Sequence, residues 1–325
     1  MLVVSDTILA AFNFNRATEC MVKSDFENAL IYLDAALEYK PDDAPAHWNK
    51  AMCLLSLGRY PEGFAEFEHR WGFVDWPWRL QKPNTSVQQR WLNGDLDSKR
   101  LLLVQDGGRG DVIMMLRFIP QLHAMGARLT ALVMPELKRL VELCINDVIT
   151  EEPDLLDFDL ICPMFSLVYA LGHTVASIPG ESYLKVVAKS SGRRIGICWS
   201  GVSQTSLSME QFIAWLQLRG DQCQALQPGE VSHGVQPFDG DFKDLAETIM
   251  GVDHVITVDT AAANLAGALG HPSVQLLLRT VTDFRWHRAA VWYPLISIYR
   301  QTIANDWAGP FQQLRDHLAT AKSIN

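Results

Sequence analysis

The chain has 325 residues, of which 48% are hydrophobic and 20% charged. This length and composition suit two or three folded domains with ordinary cores and exclude a disordered chain. The formal net charge of -9 excludes a broadly positive surface for sequence-independent nucleic-acid binding, and the six cysteines include no Cys-x-x-Cys pair, as expected in the reducing cytoplasm.

The opening stretch, MLVVSDTILAAFNFNR, has neither the basic segment nor the small-residue cleavage site of a secretory signal. No apolar run in the sequence reaches the length of a membrane span. We therefore expect a cytoplasmic protein without a membrane span.

Residues 1–75 carry two helical pairs separated by about 34 residues, the period of tetratricopeptide repeats. In the first pair, SDFENALIYLDAALEYKPDD has small and apolar residues at the packing positions, and Pro41 ends the helix. In the second, LGRYPEGFAEFEHRW has Gly63 and Phe67 at the corresponding positions. Two repeats are too few to bury a continuous face, so we expect this segment to pack on the rest of the chain and to offer a surface to a protein partner.

Residues 76–98 interrupt the helical pattern. The stretch WPWRLQKPNTSVQQRWLNGDLDSKR is rich in Trp, Pro, Asn and Asp, which is typical of a linker that lies along a surface. We expect Trp76, Trp78 and Trp91 to anchor it.

From residue 99 onward, strand-like and helix-like patterns alternate, which predicts parallel sheets covered by helices. Residues 99–190 form one unit, with RLLLVQ as a strand, DGGRGD as a glycine turn and ARLTALVM as the next strand. Residues 191–325 form a second unit that begins with RRIGICWSG and ends in an amphipathic helix, WAGPFQQLRDHLATAKS, expected to return across the first unit. In such sheets ligands bind at the carboxyl ends of the strands, so two units predict a cleft.

The stretch VITVDTAAANLAGALG predicts a buried strand that runs into Asp259 and Thr260 and then opens a helix carrying Asn264. The first turn of a helix offers unpaired backbone N–H groups and the positive end of the helix dipole, which together suit a phosphate group. The alternative is that Asp259 only caps the helix.

Several fragments, in this order along the chain, resemble one known family: GGRGDVIMMLRFIPQL, RRIGICWSG, ALQPGE, VITVDTAAANLAGALGHP and DFRWHRAAVWYPLISIYRQ. They are similar to bacterial tetratricopeptide-repeat glycosyltransferases of the GT-B fold, related to the lipopolysaccharide heptosyltransferases of family 9 and distantly to the O-GlcNAc transferases. The resemblance implies an α/β chain of GT-B type, with two Rossmann-like doubly wound domains facing a cleft, preceded by a short α-helical tetratricopeptide-repeat segment.

The same resemblance implies an inverting glycosyltransferase whose second unit, residues 191–325, binds a nucleotide-sugar donor and whose first unit, residues 99–190, binds an acceptor that the sequence does not specify. The nucleotide-sugar is a substrate, and no other cofactor is implied. The sequence also has no Asp-x-Asp pair and no His, Cys and carboxylate cluster at metal-ligand spacing, so no metal is expected.

By this resemblance, Asp111 of GGRGD is the candidate general base, which takes a proton from the acceptor hydroxyl. The alternative is that Asp111 only caps a helix after a tight glycine turn. The remaining candidates are the expected donor-binding residues, namely Gly110, Trp199, Ser200, Gly201, Gln227, Asp259, Thr260, Asn264 and Arg285.

Two departures from the family pattern fall in the expected donor site. The loop after Gly201 is short and has no basic residue, so only neutral donors such as Gln204, Thr205 and Ser206 remain. Asn264 stands where the family usually has a histidine, and an amide cannot carry a positive charge.

Arg285 can supply the missing positive charge at the donor, with Arg288 and Arg300 as further candidates. The alternative is that Arg285 stacks on Trp286 for structure alone. The departures keep a second hypothesis open, in which the chain is a catalytically inactive transferase-like repeat protein that acts as a binding or scaffold module.

Overall fold

The computed structural model describes residues 5–72, 89–190, 192–201 and 207–320. The predicted anchors Trp76 and Trp78 and the loop residues Gln204, Thr205 and Ser206 lie outside the described residues. The fold is a mixed α/β structure with a helical segment and two separate five-stranded sheets, and every strand pair in both sheets is parallel. The predicted parallel α/β architecture is therefore confirmed.

The helical segment comprises two pairs of helices followed by a 3-10 turn: α1 (Asp6–Val22), α2 (Phe26–Tyr39), α3 (Ala44–Leu57), α4 (Tyr60–Phe67) and the turn Glu68–Gly72. Local signals set the helix ends. The Asp25 and Asp43 side chains accept hydrogen bonds from the first turns of α2 and α3, and Gly58 ends α3 with a positive φ of 83°. The helical pairs are as predicted, and their description as tetratricopeptide repeats stays a prediction.

The first sheet has the strand order β1-β5-β2-β3-β4. Its elements are β1 (Gln89–Arg90), β2 (Arg100–Val104), α5 (Arg109–Met115), α6 (Ile119–Ala124), β3 (Arg128–Leu132), α7 (Lys138–Val141), β4 (Asp147–Ile149), β5 (Leu160–Pro163) and α8 (Leu167–Ala170). Strand β1 lies inside the predicted linker 76–98, and Trp91, which follows it, is buried. Strand β1, near the end of the predicted linker, therefore forms an edge of the first sheet.

The second sheet has the strand order β10-β9-β8-β6-β7. Its elements are β6 (Ile195–Cys198), α9 (Met209–Leu216), β7 (Cys223–Ala225), α10 (Phe242–Met250), β8 (His254–Val258), α11 (Ala261–Ala268), β9 (Val274–Leu278), α12 (Phe284–His287), α13 (Ala289–Trp292), β10 (Ile296–Arg300) and α14 (Ala308–Thr320). Strands β8 and β9 are buried at every position, which is typical of a parallel sheet covered on both faces.

The C-terminal helix α14 contacts the second sheet unit. Its Phe311 ring lies 5.8 Å from that of Phe212 and 5.6 Å from that of Trp215, both on α9. The sequence led us to expect a return across the first unit, whereas these aromatic contacts attach α14 to the second.

The helical segment packs on both sheet units. Arg70 donates to Asp106, which follows β2, and to Ser166, which precedes α8. On the other side, the Trp292 indole donates a buried hydrogen bond of 2.7 Å to the Tyr60 hydroxyl. The expected packing of this segment on the rest of the chain is thus observed.

Among the residues that the structure describes, every helix is too short or too polar to cross a membrane.

Candidate functional site

A cleft of about 780 Å³ lies between the two sheet units. Its walls come from the turn after β2 and from the ends of β6 and β8. Strands β6 and β8 are neighbours from which the chain departs in opposite directions across the sheet, to β7 on one side and β9 on the other. Ligands bind at such a reversal of strand order in open parallel sheets, so the topology itself favours this cleft as a binding site.

The cleft contains nearly all of the candidate residues. Those that line it are Gly110, Asp111, Ser200, Gly201, Gln227, Asp259, Thr260, Asn264 and Arg285. The further candidates Arg288 and Arg300 do not line it: Arg288 donates to the Leu57 carbonyl, and Arg300 donates to the Thr282 hydroxyl and the Trp286 carbonyl. Trp199 does not line it either, since it is buried and donates its backbone N–H to the Gln227 side chain at 2.8 Å. The same Gln227 oxygen accepts from the Ser200 backbone at 3.0 Å, so Gln227 holds the end of β6 in place. A contact of Gln227 with the donor stays a prediction.

Asp111 lies in the first turn of α5 and uses its two carboxylate oxygens differently. Oδ2 accepts a hydrogen bond of 2.6 Å from the Gly108 backbone, which is the capping role that the sequence left open. Oδ1 lies 2.5 Å from an Nη atom of Arg285, in the second sheet unit. The candidate base is therefore part of an ion pair that joins the two units across the cleft.

Arg285 is buried among acceptors. Besides Asp111, its guanidinium group donates to Asp283 at 2.8 Å and to the Asn264 side chain at 3.3 Å. Burial disfavours the charged form of Arg285, but the carboxylates of Asp283 and Asp111 outweigh this effect and raise its pKa well above the ordinary value. Arg285 thus remains a cation, and its hydrogen-bonding capacity is directed at groups of the protein.

Trp286 does not serve as a platform for Arg285. Its indole N–H donates a hydrogen bond of 2.7 Å to Asp259, and the guanidinium carbon of Arg285 lies 5.8 Å from the ring of Phe284. Burial raises the pKa of Asp259, and the positive charge of Arg285 opposes that shift.

Helix α11 begins one residue later than the capping alternative assumed. Thr260, rather than Asp259, is the residue that precedes the helix, and its backbone is extended. The Thr260 hydroxyl lies 3.1 Å from the Thr257 hydroxyl and 3.5 Å from the Cys198 thiol. Neither Asp259 nor Thr260 caps α11 with its side chain. The start of α11 therefore differs from that of a helix whose first turn is capped by a side chain.

Asn264 is buried and orients Arg285. Its side-chain oxygen accepts hydrogen bonds from Arg285 and, at 3.1 Å, from the Tyr293 hydroxyl, while its amide nitrogen donates to the Thr260 carbonyl at 3.1 Å. A histidine at this position could not accept from both groups through one atom in the same way. Asn264 is therefore suited to hold the arginine, and its role toward a donor stays a prediction.

Gly110 allows α5 and α11 to approach closely. A Cβ atom built at Gly110 would lie 2.7 Å from the Asn264 amide nitrogen and 3.4 Å from the Ala261 Cα. Because Asp111 is the next residue, this contact sets the distance over which Asp111 reaches Arg285. The small residue is thus required by packing between the two units.

We expect Gly110→Ala to destabilise the protein by about 1–3 kcal/mol, because the added methyl group overpacks the contact between α5 and α11. The measurement is the midpoint of chemical unfolding. Gly309→Ala is the matched control, since a Cβ there meets no atom within 4 Å and Ala favours the helix. Equal unfolding midpoints for the two variants would contradict the close approach at Gly110.

The charge of the cleft is predominantly negative among the described residues. Its lining includes five carboxylates, those of Asp111, Glu136, Asp241, Asp259 and Asp283, and two guanidinium groups, those of Arg109 and Arg285. Arg109 donates to Glu136 at 2.7 Å at the exposed rim. A diphosphate that enters this cleft must therefore compete with carboxylates for Arg285.

Two residues of this arrangement were not among the sequence candidates. Asp283 accepts a hydrogen bond from Arg285. The Tyr293 hydroxyl donates to the side-chain oxygen of Asn264, which also accepts from Arg285. A signal for Asp283 was present, since it precedes Arg285 by two residues in the segment DFRWHR. Tyr293 had no such signal, because its hydroxyl reaches Asn264 from 29 residues away.

No protein-family model matches the sequence. The chain is 24% identical to Protein FlbA of Caulobacter vibrioides over 88% of its own length, and it spans only 57% of the length of that relative.

The solved structures to which the chain is similar include two glycosyltransferases. The glycosyl transferase family 9 protein from Veillonella parvula superimposes with a TM-score of 0.50 and 11% identity, over 72% of this chain and 92% of that one. The E. coli heptosyltransferase WaaC with ADP has a TM-score of 0.46 and 12% identity, over 68% of this chain and 98% of that one. At these identities the likeness to the Veillonella protein is one of fold.

Proposed function

We propose that this chain is a glycosyltransferase of the GT-B class that moves a sugar from a nucleotide-sugar to an acceptor, with inversion and without a metal ion in the cleft. The observation that carries the proposal is the Asp111 and Arg285 pair, which joins a candidate base from one unit to a candidate phosphate ligand from the other. Both lie where ligands bind in open parallel sheets. The fold shared with a family 9 glycosyltransferase also supports it.

In the proposed reaction, an acceptor hydroxyl attacks the anomeric carbon while the bond from that carbon to the diphosphate oxygen breaks. Asp111 takes the hydroxyl proton, and the nucleoside diphosphate leaves with the bonding electrons. The charge that develops on the leaving group is stabilised by Arg285 and by the backbone N–H groups at the start of α11. A diphosphate that binds Arg285 replaces Asp111 as its partner, and this exchange frees the Asp111 oxygen for the acceptor.

The first test is a thermal-shift and calorimetric screen of UDP, GDP, ADP, CMP and TDP and their common sugar conjugates. We expect one nucleotide to raise the melting temperature of the wild type. Arg285→Lys keeps the charge but loses the planar fork, so that nucleotide should bind about tenfold or more weakly. Arg100→Lys, which changes an exposed arginine paired with Asp159 outside the cleft, is the control and should bind it like the wild type. A wild type that no nucleotide stabilises would count against the transferase.

A second candidate function is that of a catalytically inactive, transferase-like repeat protein that binds a partner. The observation that favours it is the engagement of Arg285 by Asp111, Asp283 and Asn264 in an acidic cleft. In this function the pair holds the two units together and the helical segment binds a protein. Nucleotide-sugar turnover that disappears in Asp111→Ala would exclude it, whereas partner binding unaffected by that substitution would favour it.

The remaining parts of the proposal concern surroundings and partners. The acceptor is a glycan, a protein or another hydroxyl compound, and the negative charge of the chain makes nucleic acid an unfavourable partner. We propose a cytoplasmic location from the composition and the unpaired cysteines.

A further inference from the structure

The helical segment contains a group of side chains with the chemistry of a metal site, apart from the cleft. These are His47 on α3, Glu66 on α4 and His69 in the 3-10 turn that follows α4. One potential ligand atom from each lies within 4.8 Å of those of the other two. His47 is buried, Glu66 is half-buried and His69 is exposed, so the group opens to solvent on the side of His69.

Both ring nitrogens of His47 face oxygen atoms. Nε2 lies 2.8 Å from the Pro41 carbonyl oxygen, and Nδ1 lies 2.5 Å from a carboxylate oxygen of Glu66. A neutral imidazole has one N–H group, and the Pro41 carbonyl can only accept it. The Nδ1 lone pair then points at a carboxylate, a repulsive arrangement unless a proton or a metal cation lies at that position.

The arrangement around His47 is also the one that metal-bound histidines use. Such a histidine commonly donates its second ring N–H to a backbone carbonyl, which fixes the ring and the tautomer. Two imidazole nitrogens and one carboxylate oxygen form a ligand set that suits zinc and similar divalent transition metals. With three protein ligands, a fourth tetrahedral position is left for water.

Metal binding requires three local adjustments. Nδ1 of His47 and the Glu66 oxygen lie 2.5 Å apart, and they must separate because zinc binds each of them at about 2.0–2.2 Å in a tetrahedral arrangement. The rings of His47 and His69 are stacked at 3.6 Å with an angle of 7° between their planes, so the exposed His69 must turn for its nitrogen to point at the metal. Lys50 contacts the other oxygen of Glu66 at 2.8 Å, but it also pairs with Asp34 at 2.9 Å and keeps that partner if Glu66 turns to the metal.

We propose that His47, Glu66 and His69 bind one divalent transition-metal ion of the zinc class. The ion would tie α3 and α4 to the turn Glu68–Gly72, which contains Arg70. Because Arg70 contacts Asp106 beside the glycine turn of the cleft, a bound metal would stiffen the support of that turn. From the sequence we expected no metal site anywhere in the chain, and this proposal departs from that expectation.

The test is titration of the full chain with zinc chloride after treatment with a chelator and dialysis, followed by isothermal calorimetry at neutral pH. We expect one equivalent to bind and to raise the melting temperature. His69→Asn leaves the contact between His47 and Glu66 in place and should weaken zinc binding by more than about tenfold. His123→Asn, which changes an exposed histidine on α6, is the control and should leave zinc binding unchanged.

Two further measurements separate this site from the cysteines and from a protonated His47. Cobalt substituted for zinc should give weak visible bands without the intense near-ultraviolet band of a cobalt–thiolate bond, and Glu66→Gln should weaken binding like His69→Asn. The proposal is overturned if no zinc binds, because a proton then holds His47 against Glu66. It is also overturned if both variants bind zinc like the wild type, or if cobalt shows thiolate ligation.

Discussion

Replacing Asp111 by Asn is expected to lower the turnover of the nucleotide-sugar found by the binding screen by about 10²–10⁴-fold, because the amide cannot accept the acceptor proton. The side chain keeps its size, and its oxygen can still accept from the Gly108 backbone, so α5 should remain intact. The measurement is kcat from the release of the nucleotide, with water or an added hydroxyl compound as the acceptor. Nucleotide affinity, measured by calorimetry, should change much less than kcat.

Asp283→Asn is the matched control, since Asp283 also pairs with Arg285 but is not the proposed base. If Asp111 acts only by holding Arg285, the two substitutions should reduce kcat to a similar extent. If it is the base, Asp283→Asn should change mainly the affinity for the nucleotide. Full turnover by Asp111→Asn would remove Asp111 from the mechanism.

Replacing Arg70 by Met is expected to destabilise the protein by about 3–5 kcal/mol, because it leaves the buried Asp106 carboxylate without its cation. The Arg70 side chain is inaccessible to solvent and lies 2.7 Å from both Asp106 and Ser166. Chemical unfolding measures the loss. Arg100→Met is the control, because the exposed pair of Arg100 with Asp159 contributes little, and its unfolding midpoint should stay near that of the wild type.

The effect of Arg70→Met should depend on pH with a defined sign. Burial raises the pKa of Asp106 above its ordinary value of 3.8, and Arg70 opposes this shift, so the pKa should rise further in the variant. When the pKa of a carboxyl group is higher in the folded state than in the unfolded state, the free energy of unfolding falls as pH increases from 3.8 through the raised value. The difference in stability between the wild type and the variant should therefore grow as pH increases from the folded-state pKa of Asp106 in the wild type to its higher value in the variant, and a difference that shrinks would contradict the pairing.

Parallel sheets were predictable because buried strands and glycine turns alternate so regularly after residue 99. The stretch HVITV, for example, is β8 as predicted. Strand β1 was not predictable, since two residues carry no periodicity and its partner β5 lies far along the chain. The structure also places Asp111 and Asp259 at one cleft, as the rule for carboxyl strand ends implies.

The hydrogen-bond partners of Asp111 and Arg285 inside the cleft could not be predicted from the sequence. Asp111 and Arg285 are 174 residues apart and belong to different sheets, so no local pattern links them. The family resemblance suggested a phosphate role for Arg285 but gave no indication that carboxylates surround it. In the helical segment, Glu66 and His69 are three residues apart, a spacing from which we inferred nothing in the sequence, and only the fold brings His47 to them.

The attachment of the helical segment to both sheet units bears on how the protein moves. Two-lobed enzymes often admit ligands by a hinge motion in which the lobes swing apart. Here one segment holds the first unit through Arg70 and the second through Tyr60, so a wide swing must break a buried contact. We expect the helical segment to limit the amplitude of opening, and thereby to govern how fast ligands enter and leave.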